Sequence, residues 1–252
     1  MTKHSRHSLA LEYHENTKAL AGNRRFDPKN QYKIYPSARK IKLDSVESLS
    51  EGHDRGDFLR TLLMRRSTRA FSQDGIGLRE LARLLTLSFG LRGTDSSGLS
   101  LRTYASAGAR YPVEVYPVVL RSADVEPGIY HYNVAENSLE LIKAGDFTSQ
   151  LHAFYRNQEF PFNPPCIIFF SMVFARSMEK YGERGYRFIL LDAGHMSQNL
   201  YLAAEYLGLG AVALGAGMDS DANIDALLGL AGGVESVFYG FAVGLPQTKT
   251  GL

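Results

Sequence analysis

The stretch from about Tyr186 to Leu207 constrains the fold more than any other part of the chain. It is the longest helical signal and is apolar nearly all round. A surface helix shows one apolar stripe, whereas a helix apolar on most sides is enclosed on most sides. Ala193, Gly194, Ala203 and Ala204 lie within it, and small residues let a second backbone come close. The pattern predicts a central helix that packs across a dimer. Just upstream, after Pro164-Pro165, Cys166 to Phe174 is a short continuous apolar run of β-favouring residues. A run of that length and type predicts a buried strand.

Other elements follow from periodicity. Phe58, Leu59, Leu62 and Leu63 recur at helical spacing in a segment from Asp57 to about Arg66 or Ser67. A second helix is expected over Leu78–Phe89, with Leu78, Leu81, Leu84, Leu85 and Phe89 as its stripe. Gly90, Gly93 and Gly98 bracket a loop. Val113 to Leu120 reads as a strand, at an edge or bulged because of Pro117. Gly128 to Tyr132 and Ser138 to Ile142 read as a hairpin across Ala135-Glu136-Asn137. A strand at Gly210 to Leu214, a small helix at Ile224 to Leu228 and a strand at Val237 to Val243 complete the pattern. Helices and strands mix without strict alternation, which indicates an α+β fold.

Residues 1–50 are the least globular part. A short helix is expected over Leu9 to Lys18, then turn-forming, charged sequence from Gly22 to Arg39 with Pro28 and Pro36. This reads as an arm lying on its own protein or on a partner, followed by one domain over 51–252.

Composition narrows the function. The 252 residues are 44% hydrophobic and 21% charged, with a net charge of +2. A near-neutral chain gives no reason to invoke nucleic acid or an anionic membrane. Met1 to Ala10 lacks an apolar signal core, and no run of about 18 apolar residues exists, so a cytoplasmic protein is expected. Cys166 is the only cysteine and reads as a buried structural thiol. The seven histidines show no zinc-ligand spacing, so no metal site is expected. Gly208 to Gly215 looks like a dinucleotide loop, but it follows a helix and precedes a strand, the reverse of the required context.

Four segments carry candidate chemistry. Arg60, Arg65, Arg66 and Arg69, with Ser67, make either a solvated basic helix end or a phosphate site of guanidinium forks and a hydroxyl. For the second reading, Leu62, Leu63 and Phe71 would set part of the site against the core. Tyr104 to Pro112, with Ser106-Ala107-Gly108-Ala109 inside it, is an ordinary loop or a place where backbone approaches a flat ligand. Leu214 to Asp219, with Gly215-Ala216-Gly217 inside it, lies beside a strand end and offers the same choice. Lys180-Tyr181 is an exposed Lys and a half-buried Tyr, or a pair aimed at one point by a loop, because adjacent side chains diverge on a helix or strand.

Taken together these segments resemble a known family. Arg65-x-Ser67-x-Arg69, Ser106-Ala107-Gly108-Ala109, Lys180-Tyr181-Gly182-x-Arg184-Gly185-Tyr186-Arg187, Ala193-Gly194-His195-x-x-Gln198-Asn199-Leu200 and Leu207-Gly208-Leu209-Gly210 occur in the order found in SagB-type dehydrogenases. Tyr13 to Lys18 is also similar to theirs. These are azoline-oxidising FMN enzymes of the nitroreductase-like superfamily. The resemblance implies a nitroreductase-like α+β fold, a mixed sheet flanked by helices, and a homodimer with two FMN sites at its interface. It implies that Arg65 and Ser67 hold the FMN phosphate and ribityl chain, that Arg69 reaches the N1 and O2 edge, and that Ser106, Ala107 and Gly108 touch the flavin from the other subunit. Gly215, Ala216 and Gly217 would lie along the ring. Lys180 and Tyr181 would be the catalytic acid/base pair. The implied reaction turns thiazoline or oxazoline in a precursor peptide into the azole, with hydride to flavin N5, beside a cyclodehydratase partner. Rival readings are an NAD(P)H-dependent nitroreductase or quinone reductase, and a flavin-bearing scaffold of a biosynthetic complex.

Overall fold

The computed structural model describes residues 13, 32–44, 56–96, 98–155, 163–214 and 221–247. The chain first adds β1 (Lys40–Lys42) to the edge of a sheet. Two helices follow, α1 (Gly56–Met64) and α2 (Leu78–Phe89). The glycine-bracketed segment, expected to be a loop, is a small hairpin of β2 (Leu91–Thr94) and β3 (Ser100–Arg102), with Gly93 and Gly98 at positive φ. β4 (Val113–Val119), β5 (Gly128–Asn133) and β6 (Ser138–Ala144) run up and down, and α3 (Thr148–Phe154) leads to β7 (Cys166–Val173). Then α4 (Phe174–Tyr181) and α5 (Gly185–Tyr206) come in close succession before β8 (Gly210–Leu214), α6 (Asp221–Leu228) and β9 (Glu235–Gly244).

The strands form one seven-stranded sheet in the order β1-β6-β5-β4-β7-β9-β8. Its ladders among the described residues are antiparallel, and a parallel pairing comes from the isolated bridge of Ser67 to Ala211. Alternation along β7 shows how the layers are built. Cys166, Ile168, Phe170 and Met172 face one way, into a core shared with Leu81, Leu84, Leu85 and Phe89 of α2 and Ile189, Ala193, Met196 and Leu200 of α5. Ile167 and Phe169 face the other way, toward Leu151 of α3 and Ile224, Leu227 and Leu228 of α6. A strand covered on both faces is apolar nearly throughout, hence the run, and the hydroxyl within it, on Ser171, is satisfied by Glu235 Oε1 at 2.6 Å. The result is a sheet flanked by helices, an α+β fold.

Three expectations need correction. Pro117 lies in an interior strand, not at an edge: its register with β7 is unbroken, and pairing with β5 is confined to Val118 and Val119, beyond the proline. The apolar residues of α1 do not face the core. Phe58, Leu59, Leu62 and Leu63 are exposed within one chain, and only Phe71 of the expected support is buried. Among the small residues of α5, Ala193, Ala203 and Ala204 pack inward, while Gly194 faces open space.

Of the N-terminal segment, residues 32–44 lie on the chain's own sheet. Tyr35 N donates to Glu140 Oε2 at 3.0 Å, Lys33 pairs with Glu235, and Lys33 Nζ donates to Tyr116 OH at 2.6 Å. The Tyr13 ring meets Tyr186 edge-on at 5.1 Å. Apart from Tyr13, the expected helix over Leu9 to Lys18 lies outside the described residues. No described helix is long and apolar enough to cross a membrane.

Candidate functional site

Helix α5 carries the candidate site as two groups of residues. Its middle turns hold one and its C-terminal half the other.

The first group surrounds Tyr201. Helix α1 ends at Met64, and the next residues run beside β8: Thr68 N donates to Ala211 O at 2.9 Å, and Ser67 bridges Ala211. Gly210 permits this approach, because a Cβ there would come within 2.7 Å of Thr68 Cβ. The Tyr201 hydroxyl accepts from Ala213 N at 2.8 Å and lies 3.5 Å from Ser67 Oγ, a weak contact. The Arg65 guanidinium sits 5.2 Å over the same ring. Arg65 and Ser67 are half-buried and Arg69 is exposed. This donor set can bind a phosphate monoester. Strand β8 then ends at Leu214. Gly215, Ala216 and Gly217 follow directly and lie outside the described residues.

The second group surrounds the loop from Ser106 to Tyr111. Asp192, buried on α5, accepts from Ser106 Oγ and from Ala107 N, the latter at 3.2 Å. Burial pushes the Asp192 carboxyl up, against those two hydrogen bonds and nearby His195. One turn on, His195 Nδ1 lies 2.9 Å from Ala105 O. A carbonyl only accepts, so Nδ1 carries a proton. Gly108, Ala109 and Tyr111 all have positive φ, at 61°, 53° and 47°. For Ala and Tyr that is strained backbone, which persists only where the surroundings over-determine it.

Lys180 and Tyr181 are not in a loop. They are the last two residues of α4, and Gly182 at φ 60° ends the helix. Their polar tips converge nevertheless. A Cβ built on Gly108 would collide with the Tyr181 hydroxyl and stand 2.8 Å from Lys180 Nζ. The reason is that Tyr181 has already left helical geometry, at φ −110° and ψ 2°, so the two side chains no longer diverge. Lys180 Nζ lies 5.1 Å from the Tyr181 ring, and Phe188 of α5 packs edge-on against that ring at 4.8 Å. Buried Arg110 is close by: desolvation draws its guanidinium down, offset in part by Tyr181 and Glu179.

Within one chain, then, Gly108 meets Lys180 and Tyr181, Ser106 and Ala107 meet Asp192, and Arg65 and Ser67 meet Tyr201. Asp192 and Tyr201 are nine residues apart, about 13 Å along the helix. Sequence reasoning missed Asp192 and Tyr201 as supports. The signal for Asp192 was a carboxylate on the inward stripe of an apolar helix, where an unpaired charge is costly and so has partners. Tyr201 had no comparable signal.

Among known proteins, this chain is 35% identical to MJ1384 of Methanocaldococcus jannaschii over 186 residues, 74% of this chain and 84% of that protein. It is 36% identical to the trifolitoxin-processing protein TfxB of Rhizobium leguminosarum bv. trifolii, over 50% of this chain and 36% of TfxB. It is 30% identical to the microcin B17-processing protein McbC of Escherichia coli, over 53% of this chain and 50% of McbC. The matched parts thus span about a third to a half of those two processing proteins. In three dimensions, a nitroreductase-type structure from Anabaena variabilis aligns with a TM-score of 0.73 at 26% identity, over 94% of this chain and 47% of that one. The E. coli microcin synthetase McbBCD complex with truncated pro-MccB17 bound aligns with a TM-score of 0.63 at 24% identity, over 98% of this chain and 85% of the matched one. A nitroreductase-type structure from Desulfovibrio desulfuricans, solved with FMN, aligns with a TM-score of 0.54 at 18% identity, over 80% and 91%. The last two likenesses speak for the fold alone. Residues 62–245, which include the Arg65–Arg69 segment, the strained loop and the Lys-Tyr pair, match one described family, and the chain belongs to it: the Nitroreductase family.

Proposed function

We propose that the protein is an FMN-dependent dehydrogenase that oxidises thiazoline or oxazoline rings of a modified peptide to azoles. The convergence of Lys180 Nζ and Tyr181 OH on Gly108 carries this reading. A nitro or quinone reductase has no carbon-bound proton to remove. Azoline oxidation does, and two proton-handling groups set side by side against a backbone suit it. The names of two relatives, both peptide-processing proteins, point to the same substrate class.

FMN is the cofactor. The donor set fits its phosphate: Arg65 is steadied over Tyr201 and Ser67 supplies a hydroxyl beside it, while exposed Arg69, two residues on, is proposed for the N1 and O2 edge. When bound, FMN supplies the acceptor for a hydride. Gly215, Ala216 and Gly217, which follow β8 in the sequence, are proposed to line the ring. Lys180 takes the proton from the former Cα of the azoline, and the C–H electrons become the ring double bond as hydride leaves the adjacent carbon. Tyr181 orients the ring nitrogen or shares the proton. Asp192 and the strained loop keep Gly108 in place while this happens.

The active form is proposed to be a homodimer. Leu190, Leu191, Phe58, Leu59, Leu62 and Leu63 form exposed apolar surface on the adjacent helices α5 and α1. Apolar surface of this kind marks an interface, and a second copy would cover it. It would also let Ser106 to Gly108 of one subunit touch the flavin whose phosphate the other subunit holds. A precursor peptide and the cyclodehydratase that forms its azolines are the proposed partners, in the cytoplasm.

Anaerobic mixing with an azoline-bearing peptide tests the reading. Bleaching of the flavin absorbance with loss of two hydrogens from the peptide is expected. Flavin that stays oxidised with the azoline but is bleached by NADH, with turnover of a nitroaromatic, would overturn it in favour of a reductase.

A further inference from the structure

A buried chain of charges lies behind the Lys-Tyr pair and has no part in the reaction above. Arg176, on α4 and one helical turn before Lys180, is buried at 6% exposure. Its Nη1 donates to Tyr111 O at 3.0 Å and pairs with Glu114 of β4. The other oxygen of Glu114 meets His131 Nε2 at 2.9 Å, and His131 Nδ1 meets Glu140 at 2.9 Å. Glu140 is held in turn by Asn133 at 2.9 Å and by the Tyr35 backbone at 3.0 Å. The guanidinium therefore has a fixed anchor in the middle of the sheet.

Tyr111 is where this anchor meets the site. It has φ 47°, which a tyrosine does not adopt without being held. It is gripped on several sides. Its N donates to Ser106 Oγ at 2.8 Å, its hydroxyl accepts from Arg102 N at 3.2 Å, the Arg102 guanidinium covers its ring at 4.6 Å, and its carbonyl accepts from Arg176. The next residue ties to the other end of the same assembly: Val173 N, at the head of α4, donates to Pro112 O at 2.8 Å. Thus the helix that carries Lys180 and Tyr181 and the loop that carries Gly108 are fastened together at Tyr111 and Pro112.

We propose that Arg176 is a positioning residue that, braced by Glu114, locks the strained loop of Gly108 to Tyr111 against α4 and so sets the distance between that backbone and the tips of Lys180 and Tyr181. The proposal deepens the dehydrogenase reading and rests on it for its catalytic consequence, although the locking itself is a property of the fold. Only an arginine suits the position. Its Nη1, at the end of a long, planar group, donates a hydrogen to the Tyr111 carbonyl while standing in ionic contact with the carboxylate. A lysine ammonium on a shorter stem answers the Glu114 charge but does not reach across to the carbonyl.

The test compares the flavin-loaded parent with Arg176→Lys, which keeps a cation opposite Glu114, and with Glu114→Gln, which loosens the brace from the other side. Hydrogen exchange of the 107–111 amides, the rate of acylation of Lys180 read by peptide mass, and kcat and KM on an azoline peptide are measured. In Arg176→Lys the loop amides are expected to exchange about 10-fold faster, as in local opening. Lys180 is expected to label at a changed rate, and kcat to fall on the order of 10- to 100-fold with KM little altered, the signature of lost alignment. Glu114→Gln is expected to repeat the pattern more weakly, and it decides the matter if Arg176→Lys does not fold. Unchanged loop exchange and Lys180 labelling in the folded variants overturn the proposal. A parent inert towards azolines overturns the dehydrogenase reading instead, and the exchange and labelling results still decide whether Arg176 holds the loop.

Discussion

The hydroxyl of Tyr181 stands where a side chain on Gly108 would begin. A glycine is required there twice over, for that contact and for a backbone at φ 61°. Gly108→Ala is therefore expected to lower stability by about 1–2 kcal/mol from the left-handed conformation alone. It should also push Tyr181 and Lys180 out of line and slow azole formation roughly 100-fold. Urea midpoints and kcat on an azoline peptide check both. An alanine variant with the parent's kcat would mean that the contact is incidental.

Flavin affinity is expected to depend on the residues around Tyr201. Arg65→Ala removes a charged donor worth about 1.5–3 kcal/mol and should raise the Kd for FMN on the order of 10- to 100-fold. Tyr201→Phe keeps the ring under Arg65 but leaves Ala213 N without its acceptor, so it should cost about 1 kcal/mol of stability and little affinity. Arg69→Ala should destabilise the reduced flavin by on the order of 2–4 kcal/mol, by analogy with oxyanion donors. Fluorescence titration with FMN and a potential measurement separate the three. Equal Kd values in all variants would place the phosphate elsewhere.

The buried charge chain gives stability with two pH limbs. Burial alone would push His131 down from its ordinary 6.5, but its hydrogen bonds to Glu114 and Glu140 hold it above that value. The rings of Tyr35 and Tyr116 flank it at 5.1 and 5.3 Å. Its stabilising contribution is complete below about pH 6.5 and is lost as pH rises through the raised value. Burial likewise pushes Glu114 up, but Arg176 and His131 outweigh it and draw the carboxyl from 4.5 down to about 2. That contribution is complete above pH 4.5 and is lost as pH falls toward 2. Denaturant midpoints should decline on both sides, and His131→Gln should flatten the alkaline limb. An alkaline limb identical in parent and variant would assign it to other groups.

Dimerisation should be strong, since Leu63 and Leu191 are 73% and 59% exposed in a single chain. An obligate interface of this kind buries roughly 2,000 Å² or more. Leu63→Lys with Leu191→Lys is expected to give a monomer that loses FMN, read by sedimentation and absorbance. A double variant that stays dimeric and yellow would move the interface away from α1 and α5.

Much of the fold was legible because local pattern and burial agree. The leucines of α2 give its bounds, Leu78 to Phe89, and β7 is readable because both its faces are covered. Where surroundings decide, the pattern misleads. The stripe of α1 has the spacing of a core helix, yet faces outward, because spacing does not say whether the covering partner is the same chain. Lys180 and Tyr181 were legible as a pair, but their meeting point, Gly108, is more than seventy residues away. The strained φ of Ala109 and Tyr111 is invisible in residue types that rarely adopt it, and so the need for Arg176 was invisible too.

The most direct test of the function is the mass of an azoline-bearing peptide after incubation with the parent, Lys180→Ala and Tyr181→Phe, each purified with FMN. The parent should remove two hydrogens per ring. Both variants should keep the dimer, the yellow colour and reduction by dithionite, yet form azole roughly 100-fold more slowly, the usual scale for a general base. Azole formed at the parent's rate by both variants would contradict the role given to the pair, and a parent that leaves the peptide mass unchanged would contradict the dehydrogenase itself.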